Sequence, residues 1–354
     1  MAEDISINPT PPAGGHRRRI RYRGKHPRRF EEKYKEQNPD QYPETVAKVL
    51  SSGKTPAGSH RSILVAEILD ALKPAPGMVA VDCTVGHGGH TVQLLDKVIP
   101  GGRLVGLDAD PLELPKTEIR LRKMGFGPEV LSLHRCHFAG LQRILAIHDI
   151  AGADVLLADL GVSSMQLDDP ARGFSMKQAG PLDMRMNPNH GQPVSSLLAS
   201  IQPHALSALL AENADEPSAQ LLGQALAGGH FESTTELIAA IKRACPNLPA
   251  EAMQQTIRRV FQALRIAVND ELSALDSLLR ILPECLNPGG RAAILTFHSG
   301  EDRRVKRSFE DGLRKGFYSA ISEVIRPSPE ERRSNLRSAP AKLRWAQRSG
   351  QTHS

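Results

Sequence analysis

Val81 to His90 reads VDCTVGHGGH, an apolar run that stops in a glycine-rich turn. Asp82, Thr84, Gly86 and Gly88 alternate there, and Asp108 closes a second apolar run, GRLVGLDAD, twenty residues beyond Gly88. Glycine lets a ligand approach backbone that a Cβ would shield. An acid at the end of a second strand is placed to accept hydrogen bonds from ribose hydroxyls. The dinucleotide fingerprint GxGxxG is incomplete, because Thr91 stands at its third glycine. An adenosine ligand without a diphosphate fits better, and S-adenosylmethionine is the common one. A tight turn holding no ligand is the plain alternative.

Other stretches carry chemistry too. LLADLGVSSMQLDD ends a nearly all-apolar run at Asp159, expected at the same sheet edge as Gly86 and Asp108, while Ser163 and Ser164 offer helix caps. The loop RGFSMKQAGPLDMRM sets Arg172, Asp183 and Arg185 among Phe174, Met184 and Met186. Long irregular loops beside a site often close on substrate, although methionines also pack beneath ordinary surface loops. In RRVFQALRIAVNDEL, helical periodicity puts Arg258, Gln262, Arg265 and Asn269 within roughly 60° of one another. Such a stripe is usually a solvated face; amide and guanidinium groups in place of Glu and Lys, and an Asn269 that caps no obvious turn, point instead to a cleft. His298 ends a further strand, where it serves as base, substrate positioner or structural histidine. His134 and His137 flank Cys136 without a fourth ligand at sensible spacing, which argues against a metal.

Strands must bring these residues to one edge. Apolar runs near residues 78–83, 102–110, 129–136, 152–161, 291–299 and 317–327 alternate with helical patterns, so the chain reads as α/β with a parallel sheet covered on both faces. Pro115 is expected to interrupt the helix after the second strand. A Gly/Pro/Met-rich loop followed by alanine- and leucine-rich helices forms a different texture. The expected organisation is a basic extension over 1–55, a discontinuous domain over 56–167 and 258–354, and a loop with helical insertion for substrate recognition over 168–257.

The composition is globular, with 40% hydrophobic and 24% charged residues among 354. No eighteen-residue apolar run offers a membrane span, no secretory signal is expected, and four scattered cysteines suit a reducing compartment. Residues 17–35 and 303–348 each carry +8 although the whole chain carries +6, which leaves −10 on the remainder. Basic segments on an acidic body suit a polyanion, most simply nucleic acid.

With these motifs the chain resembles the bacterial small-subunit rRNA cytosine-N4 methyltransferase family (the MraW/RsmH type) from about His60 to Arg348. DCTVGHGGH, GLDADP, DLGVSSMQLDDPARGFSM with GPLDMRM, FQALRIAVNDEL, PGGRAAILTFHSGEDRRVK and RPSPEE…RSAPAKLR carry the likeness. It implies a Rossmann-like domain with an inserted helical domain, S-adenosylmethionine as cofactor, and contacts to it from Gly88, Gly89, His90, Asp108, Phe138, Asp159 and Gln166. It further implies methylation of N4 of a cytidine in the decoding region of 16S rRNA or the 30S subunit, in the cytoplasm, and it allows a homodimer. Gly300, Ala179 and Gln255, and the segment NADEPSAQLL, depart from the usual pattern.

N4 is a poor nucleophile, so positioning in line with the methyl–sulfur bond, with an acceptor near the amino hydrogens, is the expected source of catalysis. The Asp/Asn-Pro-Pro-aromatic motif of amino methyltransferases is absent, and DLGVSS occupies its place. The candidate catalytic groups are therefore Asp183, Arg185, Arg259, Gln262, Arg265, Asn269 and His298. Two rival classes are a dinucleotide-dependent oxidoreductase and a catalytically inactive RNA-binding assembly factor.

Overall fold

The computed structural model describes residues 62–350. The basic run 17–35, and the expected extension 1–55 that contains it, lie outside the described residues. Seven strands form one sheet: β1 (Val79–Asp82), β2 (Arg103–Asp108), β3 (Leu131–Arg135), β4 (Ala153–Asp159), β5 (Leu286–Thr296), β6 (Tyr318–Ile321) and β7 (Lys342–Arg348). Their order is β3-β2-β1-β4-β5-β7-β6. The first five run parallel, and β7 is antiparallel to both its neighbours.

Side chains alternate between the two faces of a strand, and here both faces are buried. Ala80, Leu104, Val155, Leu157 and Leu295 pack against α1 (Val65–Leu72), α2 (Gly89–Val98) and α3 (Leu114–Lys123). Their neighbours Val81, Val105, Leu156 and Ile294 pack on the other side, against α4 (Leu141–Ile147), α11 (Glu271–Ile281) and α12 (Ser299–Arg314). Pro115 does not interrupt α3. It sits in the first turn, where the missing N–H would have no helical partner anyway.

The segment between β4 and α11 builds a hydrophobic cluster of its own. α5 (Ser164–Asp168) opens the loop, and α6 (Val194–Ser200), α7 (Pro203–Ala214), α8 (Ala219–Leu226), α9 (Thr234–Ala244) and α10 (Ala250–Val268) follow. Leu198, Leu210, Leu222, Leu237, Ile241, Val260 and Leu264 are all fully buried there. The boundary expected at 257/258 falls inside α10, which runs unbroken because Met253, Ile257, Val260 and Leu264 share one buried face. Among the described residues no helix is long and apolar enough to cross a membrane.

β7 was not among the strands expected from the sequence. Its polar side chains are used inside the fold. Arg344 and Lys342 bond the two oxygens of Asp302 at 2.8 and 2.9 Å, and the Arg291 guanidinium lies 5.0 Å over the Trp345 ring.

α12 is fastened to the sheet by Phe309, which is 1% exposed and meets Tyr318 edge-on at 5.6 Å. Phe309→Ala should cost about 3–5 kcal/mol of unfolding free energy, as large aromatic deletions in cores do. Urea unfolding checks this, and an unchanged midpoint would refute the anchoring role. Phe309→Leu keeps most of the volume and should lose less.

Candidate active site

The strand order reverses between β1 and β4, and such switch points leave a crevice at the carboxyl ends of the strands. A cavity of about 470 Å³ lies there. The turn after β1 is fixed by hydroxyl and carboxylate groups. Thr91 Oγ1 donates to the buried Asp82 Oδ2 at 2.7 Å, and Asp82 Oδ1 accepts from Thr84 N at 3.0 Å. Thr84 Oγ1 accepts from Asp159 N at 2.7 Å, which couples the ends of β1 and β4. Thr91 is thus an internal tie at the position where a dinucleotide fold has glycine.

Asp108 lines the cavity and accepts from Gly86 N at 2.7 Å and Asp110 N at 2.8 Å. Beyond β3, Phe138 and His137 form one wall, their rings 4.1 Å apart. Gly89, His90, Asp159 and Gln166 also face the cavity. Gly88 does not. Its φ of 70° demands glycine, and a Cβ there would press on Thr117 and Leu121 of α3 at 3.2 and 3.3 Å, so Gly88 serves helix packing.

Electrostatics select the occupant. Six carboxylates line the cavity (Asp108, Asp110, Glu113, Asp159, Glu271, Glu301) against two guanidiniums, Arg265 and Arg337. Burial pushes the Asp82 and Asp108 carboxyls up to about 6. Burial, then the charges of Asp82 and Glu301, push Asp159 up to about 8. Burial also drives His90 down to about 4, so it is neutral beside Asp159, its Nε2 3.6 Å from Oδ2. Among the described residues, Asp159 Oδ1, His90 Nε2 and Glu113 Oε2 are buried with no hydrogen-bond partner. Such a cavity attracts a cation and repels a diphosphate. The charge of such a cavity fits a sulfonium nucleoside.

The candidate catalytic groups are distributed differently from the stripe expected on α10. Arg265 alone among them lines the cavity, gripping Glu271 with two bonds of 2.8 Å. Asn269 ends α10 and works on the loop: it accepts from Met186 N at 2.7 Å and donates to Met184 O at 2.8 Å. That corrects the reading that it caps nothing. Gln262 donates to Asn213 O at 3.2 Å, and Arg259 stands 3.9 Å from the buried Glu216, so both tie α10 to the end of α7 and the turn after it. Asp183 and Arg185 hold each other through bonds of 2.7 and 2.8 Å. Although burial opposes it, Arg185 keeps the Asp183 carboxyl below its usual range. His298 is the N-cap of α12, accepting from Glu301 N, with Glu301 Oε2 returning to the Phe297 and His298 amides.

Sequence reasoning missed the group that organises this loop. Asp110 Oδ2 accepts from Gln166 Nε2 at 2.7 Å and from Arg172 Nη1 at 2.8 Å. Arg172 Nη2 donates to the carbonyls of Arg185 and Met186 at 3.2 and 2.8 Å. Both charged partners are buried. The GLDADP and ARGFS runs contain these residues, but no local pattern pairs positions 62 apart. Leu336, Arg337 and Pro340 also rim the cavity. The RSAPAKLR run was the one available signal for them.

A family model described as the MraW methylase family matches residues 57–349. The chain is 46% identical over 341 residues to the Ribosomal RNA small subunit methyltransferase H 1 of Lachnoclostridium phytofermentans, covering 94% of this chain and 93% of that protein. It is 47% identical over 339 residues to the Ribosomal RNA small subunit methyltransferase H 2 of Alkaliphilus metalliredigens, covering 93% and 97%.

Removing one member of a buried ion pair strands the other charge. Arg172→Met should therefore lower stability by about 3–5 kcal/mol and release the loop, which limited proteolysis near residues 183–186 would detect. Equal stability and protection would refute the tie. A second expectation concerns pH. Asp159 is raised in the folded state, so its contribution is present at low pH and is lost as pH rises through about 8. The raised carboxyls near 6 and the lowered histidines act below about 6.5. Between roughly pH 6.5 and 8 the ligand-free protein should lose thermal stability, and Asp159→Asn should flatten that slope.

Proposed function

The chain belongs to the MraW methylase family, and from that premise we propose that it methylates N4 of a cytidine in the decoding region of small-subunit rRNA. It is an S-adenosylmethionine-dependent rRNA methyltransferase; the nucleotide and the residue roles are our reading. The cytoplasm, where small subunits assemble, is the compartment this reading implies.

The observation that carries the reading is Asp159 Oδ1, a buried carboxylate oxygen without a partner among the described residues, on a residue that lines the acidic crevice. When bound, S-adenosylmethionine supplies a methyl group already activated on a positive sulfonium. The cytosine amine is the sluggish partner, because its lone pair is delocalised into the ring. Asp159 ends β4 as the first residue of the DLGVSS run that replaces the amino-methyltransferase motif, and its Oδ1 accepts a hydrogen bond from the N4 amino group. Once N4 carries the methyl group it holds one proton too many, and Oδ1 receives it. Arg265, held by Glu271, closes the cavity on the side of α10. Asn269 and Arg172 fix the backbone of Met184 to Met186, so that Met186 lines the cavity. Asp183 with Arg185, Arg259, Gln262 and His298 act as positioning residues through these supports.

The rival oxidoreductase reading requires a diphosphate beside six carboxylates. An inactive assembly factor would have no use for an unpartnered acid at the reacting position.

Nucleoside mass spectrometry of small subunits treated with the protein and S-adenosylmethionine should show N4-methylcytidine; a methyl group on C5 or on ribose would overturn the nucleotide assignment. kcat/KM should rise with pH toward about 8 as Asp159 ionises. Asp159→Asn should lower kcat by roughly 10²–10⁴-fold and erase that limb.

A further inference from the structure

A second cavity, about 620 Å³, opens between α11 and α12. Its charge is opposite to that of the first. Arg280, Arg303, Arg304, Arg307 and Lys315 line it with only Asp276 and Asp311. Both acids are already engaged, Asp276 with Arg304 at 3.2 Å and Asp311 with Arg314 at 2.6 Å. Arg303 reaches Asp215 of the insertion at 3.1 Å. Among the described residues, Arg280, Arg307 and Lys315 stand exposed with no carboxylate within ion-pair distance. Phe317, 42% exposed, lies on the same lining, and the buried Tyr318 hydroxyl, which has no hydrogen-bond partner, belongs to a residue of that lining.

We propose that this groove holds the phosphodiester backbone of the substrate RNA beside the target nucleotide. The inference rests on the rRNA methyltransferase reading and extends it to a docking surface. α12 begins at the sheet edge, directly after β5, and its first turns touch the insertion through Ser299 and Arg303. From Arg303 to Lys315 the helix advances about 18 Å at 1.5 Å per residue, room for several consecutive phosphates. A strand whose base enters the cofactor crevice can thus continue along α12. Unpaired guanidinium and ammonium groups neutralise phosphates and release counterions, and Phe317 offers an aromatic face for a splayed base. The groove also locates part of the basic segment 303–348. Lys342, Arg344 and Arg337 are occupied by Asp302 and Asp168, whereas Arg307 and Lys315 are not.

The test is steady-state methylation of small subunits by the full chain and by the triple variant Arg280→Gln, Arg307→Gln, Lys315→Gln. Affinity for S-adenosylmethionine is measured alongside as a check on folding. The expected result is a KM for the subunit raised roughly tenfold or more, with kcat and cofactor affinity unchanged. The slope of log affinity against log salt should shrink by about 2–3, near one per lost phosphate contact. Arg280→Lys with Arg307→Lys should retain the wild-type KM. An unchanged KM overturns the proposal, and so does a raised KM with an unchanged salt slope. If the wild-type chain methylates no RNA, the functional reading fails first, before any variant is compared.

Discussion

Arg172 and Asp110 form an ion pair almost out of reach of water, with side chains 8% and 2% exposed. Burying two charges is tolerable only when nearly every donor and acceptor on them is used. Here that condition is met. Asp110 takes bonds from Gln166, Arg172 and the Leu112 and Glu113 amides, while Arg172 spends Nη2 on two loop carbonyls. The turn after β2, the start of α5 and the loop over 183–186 therefore cannot shift independently. Met184 shows the cost of that constraint, since its φ of 61° is a conformation a methionine seldom adopts. Three hydrogen bonds from Asn269 and Arg172 around it hold the backbone there.

Around this fixed point the sheet edge collects acid. Asp82, Asp108 and Asp159 end three neighbouring parallel strands, and each is held in a less ionised state than in water by burial. Without a cation in the crevice the three charges oppose one another. A sulfonium relieves that opposition, so ligand affinity and ligand-free instability have one origin. Asp82 never reaches the cavity surface; its bonds to Thr84 and Thr91 shape the turn on which the cavity depends.

What was legible in the sequence follows from what is local. Strands one to six show as apolar runs, and three of them stop at Asp82, Asp108 and Asp159. β7 escaped because distant residues make its side chains internal: Asp302 takes Lys342 and Arg344, and Arg291 of β5 covers Trp345. The polar stripe on α10 was real as geometry, but angle alone does not say what faces it. Arg258 is exposed, Gln262 faces α7, Asn269 faces the loop, and of these four only Arg265 lines the cavity. As the end of a strand, His298 read equally as base, substrate positioner or structural histidine. It also begins a helix, and the capping box with Glu301, at positions three apart, was written in the sequence as His-Ser-Gly-Glu.

The two cavities together constrain how RNA can approach. A phosphate brought to the mouth of the first would face six carboxylates, so the backbone must stay outside while an uncharged base goes in. Reaching the end of β4 then requires the cytidine to leave its stack, which costs a few kcal/mol unless surrounding contacts offset it. Such contacts must lie on cationic surface near the edge yet outside the crevice. α11 and α12 begin at the crevice with Glu271 and Glu301, and the groove along them carries Arg280, Arg307 and Lys315 away from the edge. Segregating acid inside from base outside thus sorts a nucleic acid into its neutral and its charged parts. On this argument the same field that retains a cationic methyl donor also keeps the phosphates of its substrate at the distance where only a flipped base can reach it.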